Sequence, residues 1–387
     1  MKINLNQTLD HRYDGSNRWK QPEGRDDILG MGTADMDFYC PSCVAKVTQE
    51  ISDYNTYNYH YKPDSYYNSI IRWYHNYQLD VKKEWIQDLP STLGAIRLLL
   101  GCYTSKNDYV LMQTPCFIPL VKCIEGANCQ FIDNPLQLID GHYEIDFDDL
   151  EYKFKTYHPR IFLLVSPHNP TGRLFTQEEL ERMVNLCSQY HVLIISDEVH
   201  CLITFDHAKF IPILKISSAA QEISIQVFSM SKGYNVMSLP HVMFLIPNET
   251  IRAQWLDYII PFDFHYSYNL YTLATMTALM EGKGEDWLNQ VTLYLEENRN
   301  ILIEEFKKRN LPLIPIKPEA SYLLWIDCRP TGYNFNTLSE LFEERAGIHL
   351  NNGLAHGEEG KGFIRLNYAV TRDTLYQAID RIEHMFK

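Results

Sequence analysis

A chain of 387 residues, 45% hydrophobic and 22% charged, has room for two joined domains and the balance of an ordinary soluble globular protein. Its net charge of −14, with no block of Lys or Arg, argues against nucleic acid as a partner, and no apolar run nears the roughly 20 residues that cross a bilayer. The opening residues lack the apolar core of a signal peptide, and the nine cysteines are odd in number and scattered, so a cytoplasmic protein with free thiols is expected.

The first forty residues are irregular. Their one Cys-x-x-C, Cys40 to Cys43, has no second pair or flanking histidine to complete a zinc set, so no metal is expected. Tyrosines then crowd into residues 54–77, suiting a packed interface or a wet pocket wall. Thr-Leu-Gly-Ala-Ile-Arg at 92–97 reads as a glycine turn opening a helix, whose unpaired amides form an anion site. Apolar runs at 108–113, 161–165, 192–196, 225–228 and 242–246 are predicted strands. Alternating with helical stretches, they predict an α/β fold with a mostly parallel sheet. Residues 176–190 form one such helix: Thr176 caps it, Glu179 follows three residues on, and Leu180, Met183, Val184 and Leu186 make its apolar face.

After about residue 285 the texture changes. A long amphipathic helix at 286–309 leads into strands at 321–327 and 362–368 and a closing helix at 371–385. The expected organisation is a large α/β domain at 41–285 and a small α+β domain at 286–387, with residues 1–40 packed on the small domain.

Three further segments carry chemistry. Val-Ser-Pro-His-Asn-Pro-Thr-Gly at 165–172 follows a strand, and its prolines and glycine fix a turn that can hold the Asn169 amide in place. Leu-Ile-Ile-Ser-Asp-Glu-Val-His at 193–200 is an apolar strand ending in acids, where ligands sit in open α/β sheets; a buried Asp197 there needs a cationic partner. Phe-Ser-Met-Ser-Lys-Gly at 228–233 sets Lys232 beyond a strand with the hydroxyls of Ser229 and Ser231 beside it, suited to phosphate. Lysine is the side chain that condenses with an aldehyde. Taken singly, each segment has an ordinary reading as well: a tight connection, a helix-capping aspartate, a solvated lysine.

Together, with Asp197 28 residues after Asn169 and Lys232 35 residues after Asp197, they resemble the type I pyridoxal-phosphate enzymes of the aspartate aminotransferase fold over nearly the whole length. Ala-Asp-Met-Asp-Phe at 34–38, Pro-Asp-Ser-Tyr-Tyr at 63–67, Glu-Ala-Ser-Tyr-Leu-Leu-Trp-Ile-Asp at 319–327 and Phe-Ile-Arg-Leu-Asn-Tyr-Ala at 363–369 look like the cystathionine β-lyase branch called the MalY/PatB group.

That resemblance implies a large domain with a seven-stranded type of sheet, pyridoxal 5′-phosphate (PLP) bonded to Lys232, and α,β-elimination of a cysteine thioether to a thiol, pyruvate and ammonia. It implies that Phe117 stacks on the cofactor ring, Asn169 holds the ring oxygen, Asp197 pairs with the ring nitrogen and His200 lines the ring's hydroxyl side. Ser229 and the amides of Ala95 and Ile96 would bind phosphate, Arg365 the substrate carboxylate. Tyr59 would reach the phosphate of a partner in a homodimer with shared sites.

The sequence departs from the branch in places. Phe117 stands where tyrosine is usual, and the run at 233–241 differs from the branch's pattern. Pro240 stands where aminotransferases place a phosphate-binding arginine, which favours the lyase. A pocket rich in aromatic and methionine residues is expected to take a less polar cysteine S-conjugate. The competing readings are an aminotransferase and a PLP-binding regulatory protein.

Overall fold

A computed structural model of the protein describes residues 3–7, 9, 11, 14–20, 25–264 and 268–387. Its main sheet comprises β1 Ile86–Leu89, β2 Tyr109–Thr114, β3 Gln130–Pro135, β4 Ile161–Val165, β5 Leu193–Asp197, β6 Ser224–Phe228 and β7 Val242–Leu245. These seven strands lie in the order β1-β7-β6-β5-β4-β2-β3. Strands β2 to β6 run parallel, and β7 is antiparallel to both its neighbours.

The alternation of side chains along each strand divides the core in two. Ile161, Leu163 and Val165 of β4 enter one apolar cluster, and Phe162 and Leu164 enter the other on the opposite face. Burial on both faces is why the central strands are mostly apolar, β4 wholly so, each Leu, Ile or Phe contributing roughly 1.5–3 kcal/mol. The helix Gln177–Gln189 begins in the predicted capping box: the Thr176 hydroxyl accepts from the Glu179 amide at 3.2 Å, and the Glu179 carboxylate accepts from the Thr176 amide at 2.8 Å.

Beyond the helix Glu285–Lys308 lies a second, antiparallel sheet of β8 Ile314–Ile316, β9 Leu323–Asp327, β10 Asn351–Asn352 and β11 Phe363–Asn367, in the order β8-β9-β11-β10. The closing helix Arg372–Met385 is capped by Thr371 and buries Leu375, Ala378, Ile379 and Ile382, spaced as one helical face. The N-terminal stretch packs beside this sheet. Leu29–Gly30 pairs in parallel with Ile348–His349, and the buried Arg18 donates to the carbonyls of Gly30, Asp35 and Ala369.

Of the tyrosines in residues 54–77, Tyr66 and Tyr74 lie in the core, whereas Tyr54, Tyr57, Tyr59 and Tyr61 are 61–87% exposed. All nine cysteines are free thiols, and no helix among the described residues is long and apolar enough to cross a membrane.

Candidate active site

Strands β4, β5 and β6 end at the same edge of the main sheet, facing the second sheet, and a cavity of about 380 Å³ opens there. Phe117, Asn169, Asp197, His200, Lys232 and Arg365 all line it.

The turn after β4 is closed by the Gly172 amide on the His168 carbonyl at 2.7 Å and the His168 amide on the Arg173 carbonyl at 2.9 Å. Gly172 has φ +71°, and a Cβ there would lie 2.4 Å from the Pro318 Cβ, so only glycine lets the turn meet residues 318–320. Asn169 therefore sits at the join of the two sheets. Its Oδ1 accepts from Arg365 Nη1 at 3.0 Å. Because a guanidinium only donates, the Asn169 oxygen must face it, which leaves the Nδ2 donor to the cavity.

Asp197, the last residue of β5, is buried, and its carboxylate accepts only the Val199 amide, at 3.3 Å; no ion pair reaches it among the described residues. Burial raises its pKa to about 6, against smaller lowering effects from the Val199 amide and the charge of Lys232. His200 is held by Ser321 at 3.1 Å, and burial, with Lys232 and Arg365 nearby, depresses it to about 3, so the ring is neutral.

Lys232 lies in the short helix Ser231–Tyr234 and donates to the Ala34 carbonyl at 2.7 Å. Desolvation lowers its pKa to about 8, with Arg365 acting the same way and Asp35 and Asp197 opposing. Arg365 is central in the second sheet, between Trp325 on β9 and Asn351 on β10. It donates to Asn169, to the Asn351 side chain at 2.9 Å and to the Gly32 carbonyl at 3.2 Å, while its buried Nε has no partner among the described residues. No carboxylate pairs with it among the described residues, and burial lowers its pKa to about 10. The cavity thus holds a guanidinium fork without an anion and a carboxylate without a cation.

Three expectations need adjusting. The helix of residues 92–103 starts at Thr92, capped by the Ser91 hydroxyl on the Gly94 amide at 3.2 Å, and the Ala95 amide already bonds the Ser91 carbonyl at 2.8 Å. Ala95 and Ile96 lie inside the helix, fully buried and off the cavity wall, whereas the amides of Thr92 and Leu93, both on the wall, are unbonded among the described residues. Ser229 is fully buried behind the wall, its hydroxyl on the His241 carbonyl at 2.6 Å and on Ser231 at 2.9 Å, and of these two serines it is Ser231 that lines the cavity. The aromatic and methionine-rich pocket is not what surrounds Lys232: Phe117 is the one Phe, Tyr or Trp on the wall among the described residues. The adjoining cavity, sharing Thr33, Ala34 and Lys232, is lined by Asp14, Asp35 and Asp37 as well as Met36 and Met237. Tyr59 lies away from this wall, on the surface.

With this geometry in hand, comparison with known proteins is decisive. Residues 26–382 match the model of the family described as Aminotransferase class I and II. The chain belongs to this family. PatB of Bacillus subtilis (strain 168), a cystathionine beta-lyase, is 30% identical over 363 residues, 93% of either chain. MalY of Escherichia coli (strain K12) is 26% identical over 358 residues, 92% of this chain and 91% of that protein. The PLP-bound C-S lyase of Staphylococcus hominis, solved with the inhibitor L-cycloserine, superposes with a TM-score of 0.92 at 26% identity, covering 100% of this chain and 99% of that one.

This family member also uses groups that sequence reading passed over. Asn351 steadies Arg365, and the carbonyls of Gly32 and Ala34 meet Arg365 and Lys232. Backbone carbonyls leave no mark in a sequence. Asn351 lies in a two-residue strand too short to announce itself by periodicity.

Proposed function

We propose that the protein is a PLP-dependent carbon–sulfur β-lyase that splits L-cystathionine or another cysteine S-conjugate into a thiol, pyruvate and ammonia. One observation carries the reading. A desolvated lysine, a carboxylate lacking a cation and a guanidinium lacking an anion share one cavity, in a chain with PatB among its full-length relatives.

The residues fit the cofactor. The buried Asp197 carboxylate calls for a cation such as a protonated pyridine nitrogen, and the spare Asn169 Nδ2 suits a phenolic oxygen. The Thr92 and Leu93 amides at a helix start, with the Ser231 hydroxyl, would hold the phosphate. Phe117 and Val199 offer apolar surface to a flat ring. When bound, PLP supplies a ring that accepts the electron pair left at Cα.

The chain does the rest. Arg365 grips the substrate carboxylate through its fork, a charge-assisted pairing that also fixes orientation. Lys232, once free and neutral, takes the Cα proton as general base, a role typically worth ~10²–10⁴-fold. The Cβ–S bond breaks with its electron pair on sulfur. The three-carbon fragment, released as an enamine, hydrolyses in water to pyruvate and ammonia.

The working unit in this reading is a homodimer in the cytoplasm, where the nine thiols stay reduced. Tyr59, on the exposed stretch between the helices Ser42–Tyr54 and Asp64–His75, serves the partner's phosphate site. The test is pyruvate release from L-cystathionine and S-alkyl-L-cysteines without added keto acid, alongside the absorbance spectrum. A yellow protein releasing pyruvate continuously supports the lyase. A yellow protein that turns over only with a keto acid is an aminotransferase, and one that turns over in neither case fits the regulatory reading.

A further inference from the structure

Residues 32–38 form a strap between the lysine turn and the second sheet. On the second-sheet side, the Gly32 carbonyl accepts from Arg365 at 3.2 Å, and those of Thr33 and Asp35 accept from Asn367 Nδ2 at 2.5 and 2.7 Å. On the lysine side, the Ala34 carbonyl accepts from Lys232 Nζ at 2.7 Å and from the Tyr322 hydroxyl at 3.1 Å. The strap is pinned to the lysine turn by one side chain. Asn235 Nδ2 donates to the Met36 carbonyl at 2.8 Å and the Phe38 carbonyl at 3.0 Å, and its Oδ1 accepts from the Met36 amide at 2.9 Å. Its own carbonyl accepts the Cys40 thiol at 3.1 Å. Asn235 follows the short helix that carries Lys232 and sits at φ +58°, a left-handed turn that asparagine tolerates better than most residues.

We propose that Asn235 is a positioning residue for Lys232: it registers the strap on the lysine turn, so that the Ala34 carbonyl holds the lysine amine whenever that amine is free. The idea rests on the reading above only in assigning Lys232 its role as base. One N–H held on Ala34 fixes where the amine's lone pair points, and the same carbonyl stabilises the protonated amine after it takes a proton. Asp35 on the strap and Asp197 on β5 favour the charged form, Arg365 on β11 opposes it, and His200 and Tyr322 face it uncharged. Removing the Asn235 side chain lets the strap drift and leaves desolvation less opposed.

The test is read on cofactor-free protein, independently of any reaction. The pH dependence of Lys232 acylation, followed by mass spectrometry of its peptide, gives the amine pKa in wild type, Asn235→Gly and Asn235→Ser. Glycine keeps the left-handed backbone; serine replaces three hydrogen bonds with at most one or two. The expected result is a graded fall, about one unit for glycine and less for serine, since lost hydrogen bonding to the charged form lowers an amine pKa. In the loaded enzyme the same series lowers kcat with KM changing less than about twofold, because Asn367 still holds the Thr33 and Asp35 carbonyls, and with them the Gly32 end of the strap, at Arg365. The control is Asn298→Ala, which removes a similar clamp on the Tyr368 and Val370 carbonyls, both at 2.9 Å, and is expected to lower the melting temperature without moving the Lys232 pKa. The proposal is overturned if the Asn235 variants melt earlier but titrate Lys232 as wild type does. The serine variant alone decides it if the glycine variant does not fold. A protein that releases no pyruvate sinks the lyase reading and leaves this titration standing.

Discussion

Arg365 Nη1 donates to Asn169 Oδ1 over 3.0 Å, joining the second sheet to the turn after β4. Through this contact the group expected to grip the substrate also sets which end of the Asn169 amide faces the cavity. Arg365→Lys keeps a charge but loses the fork. The expected outcome is a loss of roughly ten- to a hundredfold in kcat/KM, the range of a charge-assisted hydrogen bond worth about 1.5–3 kcal/mol, with PLP still bound. Steady-state kinetics and the PLP spectrum check it. A change within twofold means the carboxylate binds elsewhere.

Asp197 makes a prediction of opposite sign in the two forms of the protein. Burial raises its pKa from 3.8 to about 6. Between those values the folded chain binds more protons than the unfolded one, so cofactor-free protein gains stability as pH falls from about 6 toward 4. Above pH 6 the full penalty applies, of order 3 kcal/mol. Asp197→Asn removes the charge. Urea unfolding of the cofactor-free variant is expected to show greater stability than wild type at pH 8 and no advantage at pH 4, while PLP affinity falls. A variant less stable than wild type at pH 8 contradicts this account.

How much of this was legible follows from burial. The five runs read as strands are β2, β4, β5, β6 and β7, all interior, where helix-covered faces demand a mostly apolar sequence. The two strands missed, β1 and β3, are the sheet's edges. There Gln87, Asp88, Gln130 and Asp133 interrupt the apolar pattern because burial is partial. Asn169, Asp197 and Lys232 stood out because each lies at or just beyond the end of a strand of the readable kind. The start of the helix at the proposed phosphate end lies two residues before the glycine that suggested it. Gly94 was taken as the opening of a helix that starts at Thr92, and only the cap at Ser91 fixes where unpaired amides stand. Residues 34–38 were legible as a family stretch, but their place over Lys232 was not, since the contacts there are backbone carbonyls met by residues some 200 or 330 positions away in sequence.

The acidic lining beside Lys232 bears on substrate choice. Asp14, Asp35 and Asp37 line the second cavity of about 680 Å³, and Arg18 offsets part of their charge by approaching Asp35 at 3.3 Å and Asp37 at 3.5 Å. A substituent on sulfur that extends there meets net negative potential. S-aminoethyl-L-cysteine is therefore expected to exceed S-carboxymethyl-L-cysteine by about tenfold in kcat/KM, roughly 1.4 kcal/mol, with the gap narrowing in high salt. Pyruvate release from the two substrates at matched concentrations measures it. Equal rates, or a preference for the anionic substrate, place the sulfur substituent elsewhere.

Tyr59 offers a test of shared sites that needs no structure of the assembly. Its side chain is 87% exposed on a stretch that also displays Tyr54, Tyr57 and Tyr61, an unusual apolar load for a surface in water. If Tyr59 serves the partner's phosphate site, Lys232→Ala and Tyr59→Ala damage different chains of the same site. Each variant alone is expected to release little pyruvate at limiting PLP. Mixed under conditions that exchange subunits, half the dimers pair the two variants, and each such dimer rebuilds one intact site from Lys232 of one chain and Tyr59 of the other. Activity should then recover to about a quarter of wild type, the share set by random pairing in a two-fold dimer. Recovery shows that two chains build each site. If subunits exchange and activity does not return, Tyr59 works in its own chain or not at all.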